Sequence, residues 1–210
     1  MGFNPHRKRV ARTSDYVFVG AAVALLRERS FAGRPERRLA LHLVLATIPA
    51  AIAGFLLNDL DESTVREPAL VAVLLVVGGA ILLAADRIGA KAREMDSLTG
   101  AGAVAIGVAQ ALALLPGVSR SGISISMGLA LGLDRPSAAR FSFLMAAPII
   151  AGAGLFELRK LLAPGALGDA SIGILVVGFA ASLVSGILAI RFMLGYLRSH
   201  SLGVFVAYRV

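Results

Sequence analysis

Two uncharged apolar runs, Ala69–Ala85 and Ile172–Ile190, restrict the folds open to this chain more than any other feature. Each holds 17 to 19 residues, close to the ~20 that a helix needs to cross the ~30 Å hydrocarbon core of a bilayer. Hydrophobic residues make up 57% of the chain and mean hydropathy is +0.80, against about 45–50% apolar residues in soluble domains. The excess is gathered into runs from which charge is nearly absent, which sets aside a large soluble helical bundle. The expected fold class is an all-α, polytopic membrane protein.

The formal net charge is +8 and the isoelectric point is near 11. In a soluble protein that balance would suggest nucleic acid. Here the bases lie between the apolar runs, where they orient helices and meet anionic lipid, so no nucleic-acid partner is expected. With no cysteine, disulfides, thiolate nucleophiles and cysteine-bound metals are excluded. The basic stretch Met1–Ser14 is not followed by a cleavage motif, so no signal peptide is expected.

In chain order, residues 1–38 read as a basic tail with one short apolar segment, Tyr16–Leu26, too short to cross. Residues 39–210 read as the membrane domain. Spans are expected at Leu39–Leu57, Ala69–Ala85, Ser137–Leu158 and Ile172–Leu194. Pro49 and Pro148 fall inside two of them, and Gly78-Gly79 marks a close helix contact. His42 reads as interfacial or packed. Asp96 or Ser97 is the expected cap of the helix that follows. Leu202–Val210 begins an apolar segment that stops too early to cross. The segments 27–38, 86–98, 134–140 and 191–200 fall on one side with twelve Lys/Arg, against three in 58–67 and 157–170. That asymmetry puts the first set in the cytoplasm.

Between the second and third spans the pattern breaks. Thr99–Leu115 is rich in Ala and Gly, with Gln110 as its one interior polar residue. It stops at Pro116-Gly117-Val118-Ser119-Arg120-Ser121-Gly122, and a second helical piece runs over about Ile123–Leu133. Neither piece is an independent span; together they predict a re-entrant helix–loop–helix. Irregular backbone and a guanidinium at membrane depth persist only where protein or a water-filled cavity surrounds them. Arg120 offers a planar donor fork suited to phosphate or carboxylate oxygens. Ser119, Ser121 and Ser124 add hydroxyls, and Gly117 and Gly122 allow close backbone approach. The N-terminus of the second piece adds free N–H groups and partial positive charge. These features select an anion, with a phosphate ester or pyrophosphate first and a carboxylate second. Gly128 and Gly132 form a GxxxG pair, read as helix packing.

The stretch from Gln110 through Ser119-Arg120-Ser121-Gly122, followed by Gly132-Leu-Asp-Arg-Pro136 and the sequence to Pro148, resembles the undecaprenyl-diphosphate phosphatase family of the bacitracin-resistance type. The resemblance runs from about Leu39 to the final Ala207-Tyr208-Arg209. It implies a multi-pass hydrolase of the bacterial inner membrane, built from two inverted repeats that each carry a re-entrant hairpin. Its implied reaction removes the terminal phosphate of undecaprenyl diphosphate, so that the carrier lipid returns to peptidoglycan synthesis. By position, Ser119, Arg120 and Ser121 would be catalytic and grip the diphosphate. Gly117, Gly122, Ser124 and Gln110 would line the substrate, with Ser124 standing where the family has Thr. A divalent cation, Mg²⁺ or Ca²⁺, is implied, but no ligands for it are found in this chain.

Two departures accompany the resemblance. The family's first signature, a helix with two glutamates four apart and then a Pro-x-Ser-Ser-x-Gly-His loop, has no counterpart here. The last helix reads as cut short. Two other readings therefore stay open: a non-catalytic polyprenyl-phosphate binder or transporter, and an inactive truncated homologue. A homodimer is kept as an option for the assembly.

Overall fold

Four helices reach the length and hydropathy of membrane spans, in a computed structural model that describes residues 35–57, 67–161 and 172–209. In chain order the described helices are α1 (Pro35–Leu56), α2 (Pro68–Ile88), α3 (Gly100–Ala111), α4 (Arg120–Ala130), α5 (Arg135–Leu161), α6 (Ile172–Tyr196) and α7 (Gly203–Arg209). Among the described residues there is no strand; the sole β-type contact is a bridge between Arg93 and Leu133. The chain is all-α and polytopic. The expectations for Met1–Ser14 and Tyr16–Leu26, and most of those for the loops at 58–67 and 157–170, fall outside the described residues.

The spans α1, α2, α5 and α6 sit where the apolar runs predict them. α3 and α4 form the re-entrant pair. They have 12 and 11 residues, so each rises about 16–18 Å, roughly half the hydrocarbon core. Their outer ends are tied together. The Arg93 N–H donates to the Gly132 carbonyl (3.0 Å), and the Asp134 N–H donates to the Arg93 carbonyl (2.8 Å). The Arg93 guanidinium also donates to the Leu131 carbonyl (3.2 Å). A hairpin whose arms are too short to cross, and whose ends are laced together, goes in and comes out on one side.

Caps explain where these elements begin. Thr99 caps α3, its hydroxyl accepting the Gly102 N–H at 3.1 Å. This corrects the expectation of Asp96 or Ser97 as cap. Those residues form a separate 3₁₀ turn, Met95–Ser97, so the helix starts beyond them. Asp134 opens α5 by accepting the Ser137 N–H at 2.8 Å, with Pro136 in the first turn where its missing N–H costs nothing. α5 therefore starts two residues before the predicted Ser137. Gly132, at φ +86°, makes the left-handed turn between α4 and α5.

Packing radiates from the hairpin. α1 lies along α3, α4 is held between α2 and α5, and α7 returns to α2. Ile106, Ile125, Leu129, Leu133, Phe141 and Met145 form the centre of the core, all essentially inaccessible. Gly107 brings α3 against the Ala46 backbone of α1, where an added methyl would overlap the Ala46 carbonyl. Gly128 packs on Ala138 of α5, so this half of the GxxxG pair is used within the chain. Among the described residues, α6 buries none, and nothing lies within 4 Å of a Cβ built at Gly152 or Gly154 of α5.

At the C-terminal, basic end of α2, Asp86 is only 4% exposed. Its carboxylate accepts both Arg135 Nε and, at 3.2 Å, Arg135 Nη2. It also accepts the Leu202 N–H at 3.2 Å, one residue before α7. One carboxylate thus fastens α2, α5 and the start of α7. Removing one partner of a buried pair costs about 3–5 kcal/mol; Arg135 is 28% exposed, so the lower end applies. Asp86→Ala should lower thermal stability in detergent by about 3 kcal/mol. An unfolding midpoint within a degree of the unaltered protein would show that the clasp contributes nothing.

Candidate anion-binding site

The tip of the hairpin is built by two residues with positive φ. α3 tightens into a 3₁₀ turn over Leu112–Leu114, and the Val118 N–H closes on the Leu115 carbonyl at 3.3 Å. Gly117 then takes φ +95°, and Ser119 takes φ +60°. For Gly117 the conformation is free. There is also no room for a side chain, since a Cβ would lie 2.6 Å from the Val71 carbonyl of α2. For Ser119 it is a sparsely populated conformation that the surroundings must hold. Ser119 is the N-cap of α4, its hydroxyl oxygen accepting the Gly122 N–H at 3.2 Å.

That cap corrects one expectation. The helix begins at Arg120, not near Ile123, so Arg120, Ser121 and Gly122 form its first turn. Among the described residues, the Arg120 and Ser121 N–H groups have no acceptor. They are two of the orphan donors that every helix N-terminus carries. The Arg120 side chain is exposed and, among the described residues, makes no hydrogen bond or ion pair. Asp86 of α2 is taken by Arg135, near the opposite end of that helix from the tip. Glu157 pairs with Lys160 at 2.9 Å. A guanidinium, two free N–H groups and the hydroxyls of Ser119 and Ser121 are therefore gathered at the positive end of a helix with no internal anion.

Depth follows from the α2 contacts. Gly117 sits against Val71 and Leu74, and the Val118 carbonyl faces Gly78. At 1.5 Å per residue, that level is about 15–25 Å along α2 from its basic end at Ile88. The tip lies inside the span, in the half away from the basic loops.

The other predicted residues are placed less directly. Ser124 is 1% exposed. Its hydroxyl donates to the Arg120 carbonyl at 2.7 Å and pairs with the Ser142 hydroxyl of α5, also at 2.7 Å. It braces the first turn of α4 instead of presenting a free donor, because it lies one helical turn along from Arg120 on the face toward α5. Gln110 is 4% exposed near the end of α3. Gly122 is buried, and its N–H is already committed to Ser119. The space a side chain would need there belongs to Arg209: a Cβ on Gly122 would lie 2.8 Å from Arg209 Nη1.

Arg209 had no role in the sequence reading beyond closing the resemblance. Its Nη2 donates to the Gly117 carbonyl at 2.8 Å, and its Nη1 is buried with no partner. The signal that singles out Arg120, a cation in apolar sequence, was equally present in Gly203-Val-Phe-Val-Ala-Tyr-Arg209.

The donor set at the tip does not fit a metal ion. It holds a guanidinium, N–H groups and hydroxyls, all of which favour negative charge. No group of three His, Asp or Glu side chains able to hold a metal occurs among the described residues.

The family described as Bacitracin resistance protein BacA matches residues 11–210. The chain belongs to the BacA family. Curated relatives include an undecaprenyl-diphosphatase of Rubrobacter xylanophilus, 46% identical over 90% of this chain and 70% of that protein. A second, from Thermodesulfovibrio yellowstonii, is 44% identical over 83% of this chain and 66% of the relative. A third, from Pelotomaculum thermopropionicum, is 43% identical over 92% and 69%. The chain thus spans about two thirds of the length of the BacA-family relatives it matches.

Proposed function

We propose that this chain is a membrane hydrolase that removes phosphate from undecaprenyl diphosphate, the activity its relatives' names carry. The single observation that carries the reading is the unpaired Arg120, exposed at the first turn of a re-entrant helix within the span. An exposed cation at span depth with no acid of its own is an anion receptor. A diphosphate on a lipid also suits the setting, since an isoprenoid tail partitions into hydrocarbon while the charged head needs a polar receptor at depth.

Phosphoryl transfer asks a protein chiefly for positioning and for stabilisation of charge. The Arg120 fork and the Arg120 and Ser121 N–H groups take phosphate oxygens, and the hydroxyls of Ser119 and Ser121 orient the terminal phosphate. The rigid positive-φ turn holds these donors before substrate arrives, so little reorganisation is needed at reaction. The divalent cation that the resemblance implies has no ligand set among the described residues. The proposed setting is the bacterial inner membrane, with the tip opening toward the side opposite the basic loops.

The test is release of inorganic phosphate from undecaprenyl diphosphate by purified protein in detergent, with and without added Mg²⁺ or Ca²⁺, and with the lipid product followed in parallel. Release matched by undecaprenyl phosphate supports hydrolysis. Retention of intact diphosphate lipid by a protein that releases none would make it a binder.

A further inference from the structure

Arg209 is a cation that the anion-receptor reading leaves unused. Its guanidinium lies in a slot made by three glycines. A Cβ on Gly78 would meet Nη2 at 2.9 Å, and one on Gly122 would meet Nη1 at 2.8 Å. Gly117 supplies the carbonyl that Nη2 holds at 2.8 Å. The Gly78-Gly79 pair, expected as a helix contact, therefore makes room in part for a side chain 131 positions later.

The placement is costly for the protein alone. Nη1 is buried without an acceptor, and no carboxylate among the described residues pairs with the guanidinium. It also lies against the first turn of α4, where the helix already carries partial positive charge. A structural tie to the Gly117 carbonyl would need one neutral N–H donor. It would not need a full charge aimed at a positive helix end.

We infer that Arg209 is a positioning residue of the anion site: it fixes the Gly117–Ser119 turn through Nη2, and its charge raises the potential that draws phosphate oxygens to Arg120. This rests on reading the hairpin tip as the diphosphate site. Because Nη1 is enclosed, Arg209 acts without touching the phosphate. The unliganded fold carries an excess of positive charge at the tip that the bound anion offsets.

The sign of the stability change separates this role from a structural one. Arg209→Gln keeps an N–H donor for the Gly117 carbonyl and removes the charge; Arg209→Lys keeps the charge. Each is compared with the unaltered protein in detergent, by thermal unfolding across a titration with inorganic pyrophosphate. The unliganded midpoint of Arg209→Gln should equal or exceed that of the unaltered protein. Its pyrophosphate dissociation constant should rise about tenfold, the weight of one short-range, partly buried charge. Arg209→Lys should recover most of the affinity. An Arg209→Gln protein that fails to fold, or melts several degrees lower with affinity unchanged, would make Arg209 a structural tie and overturn the inference. So would an unaltered protein that pyrophosphate does not stabilise. Phosphate release from undecaprenyl diphosphate is measured on the same samples. Pyrophosphate binding that needs Arg209, without lipid hydrolysis, leaves this inference standing and removes the hydrolase reading.

Discussion

Arg120→Ala lowers the rate of phosphate release from undecaprenyl diphosphate by about 10²–10³-fold, the usual weight of one preorganised donor at developing charge. The unfolding midpoint stays where it was, because the side chain is exposed and bonds to nothing in the unliganded protein. That combination is the signature of a group held for a ligand. Arg120→Lys is the sharper variant. It keeps the charge but replaces a two-pronged planar fork with a point donor, so a loss of about tenfold or more is expected in binding a diphosphate lipid. Equal activity of all three proteins would place phosphate recognition elsewhere. A large fall in stability would show that Arg120 holds the fold.

Gly107→Ala has an expected effect on stability comparable with that of Asp86→Ala. A methyl there meets the carbonyl and Cα of Ala46 on α1, and backbone cannot rotate away as a side chain can. Overpacking typically costs about 1–3 kcal/mol, sometimes more, and a backbone-to-backbone clash belongs at the upper end. The better helix propensity of alanine returns at most ~1 kcal/mol. A net loss of about 2 kcal/mol or more is expected in thermal unfolding, with α1 forced off the hairpin. Gly178→Ala is the matched control: among the described residues nothing lies within 4 Å of its Cβ, so it should be neutral or slightly stabilising. Equal behaviour of the two variants would mean that α1 and α3 are not in close contact.

Much of the fold was legible because hydrocarbon leaves few options. Long uncharged runs must be helices, and α1, α2, α5 and α6 fall where those runs lie. The hairpin was legible from Pro116-Gly117, and Arg120 from being a charge in an apolar setting. The start of α4 was misread by three residues. A Ser-Arg-Ser-Gly stretch has the composition of a loop, and only the Ser119 cap and its positive φ make it a first helical turn. Ser124 looked like a free hydroxyl because nothing in the sequence says that Ser142, 18 residues on, faces it. Arg209 was hidden for the same reason: its partner carbonyl is 92 residues away. Glycine spacing shows that something passes close by, but not what passes. Gly78 and Gly122 mark close approach, and Arg209 is what approaches both.

The most direct test of an unpaired guanidinium held for phosphate is ³¹P NMR of a polyprenyl diphosphate in micelles, titrated with the purified protein. Both phosphorus signals should shift and broaden with unaltered protein, and far less with Arg120→Lys. Spectra that are identical with and without protein would contradict the assignment of the hairpin tip as the diphosphate site.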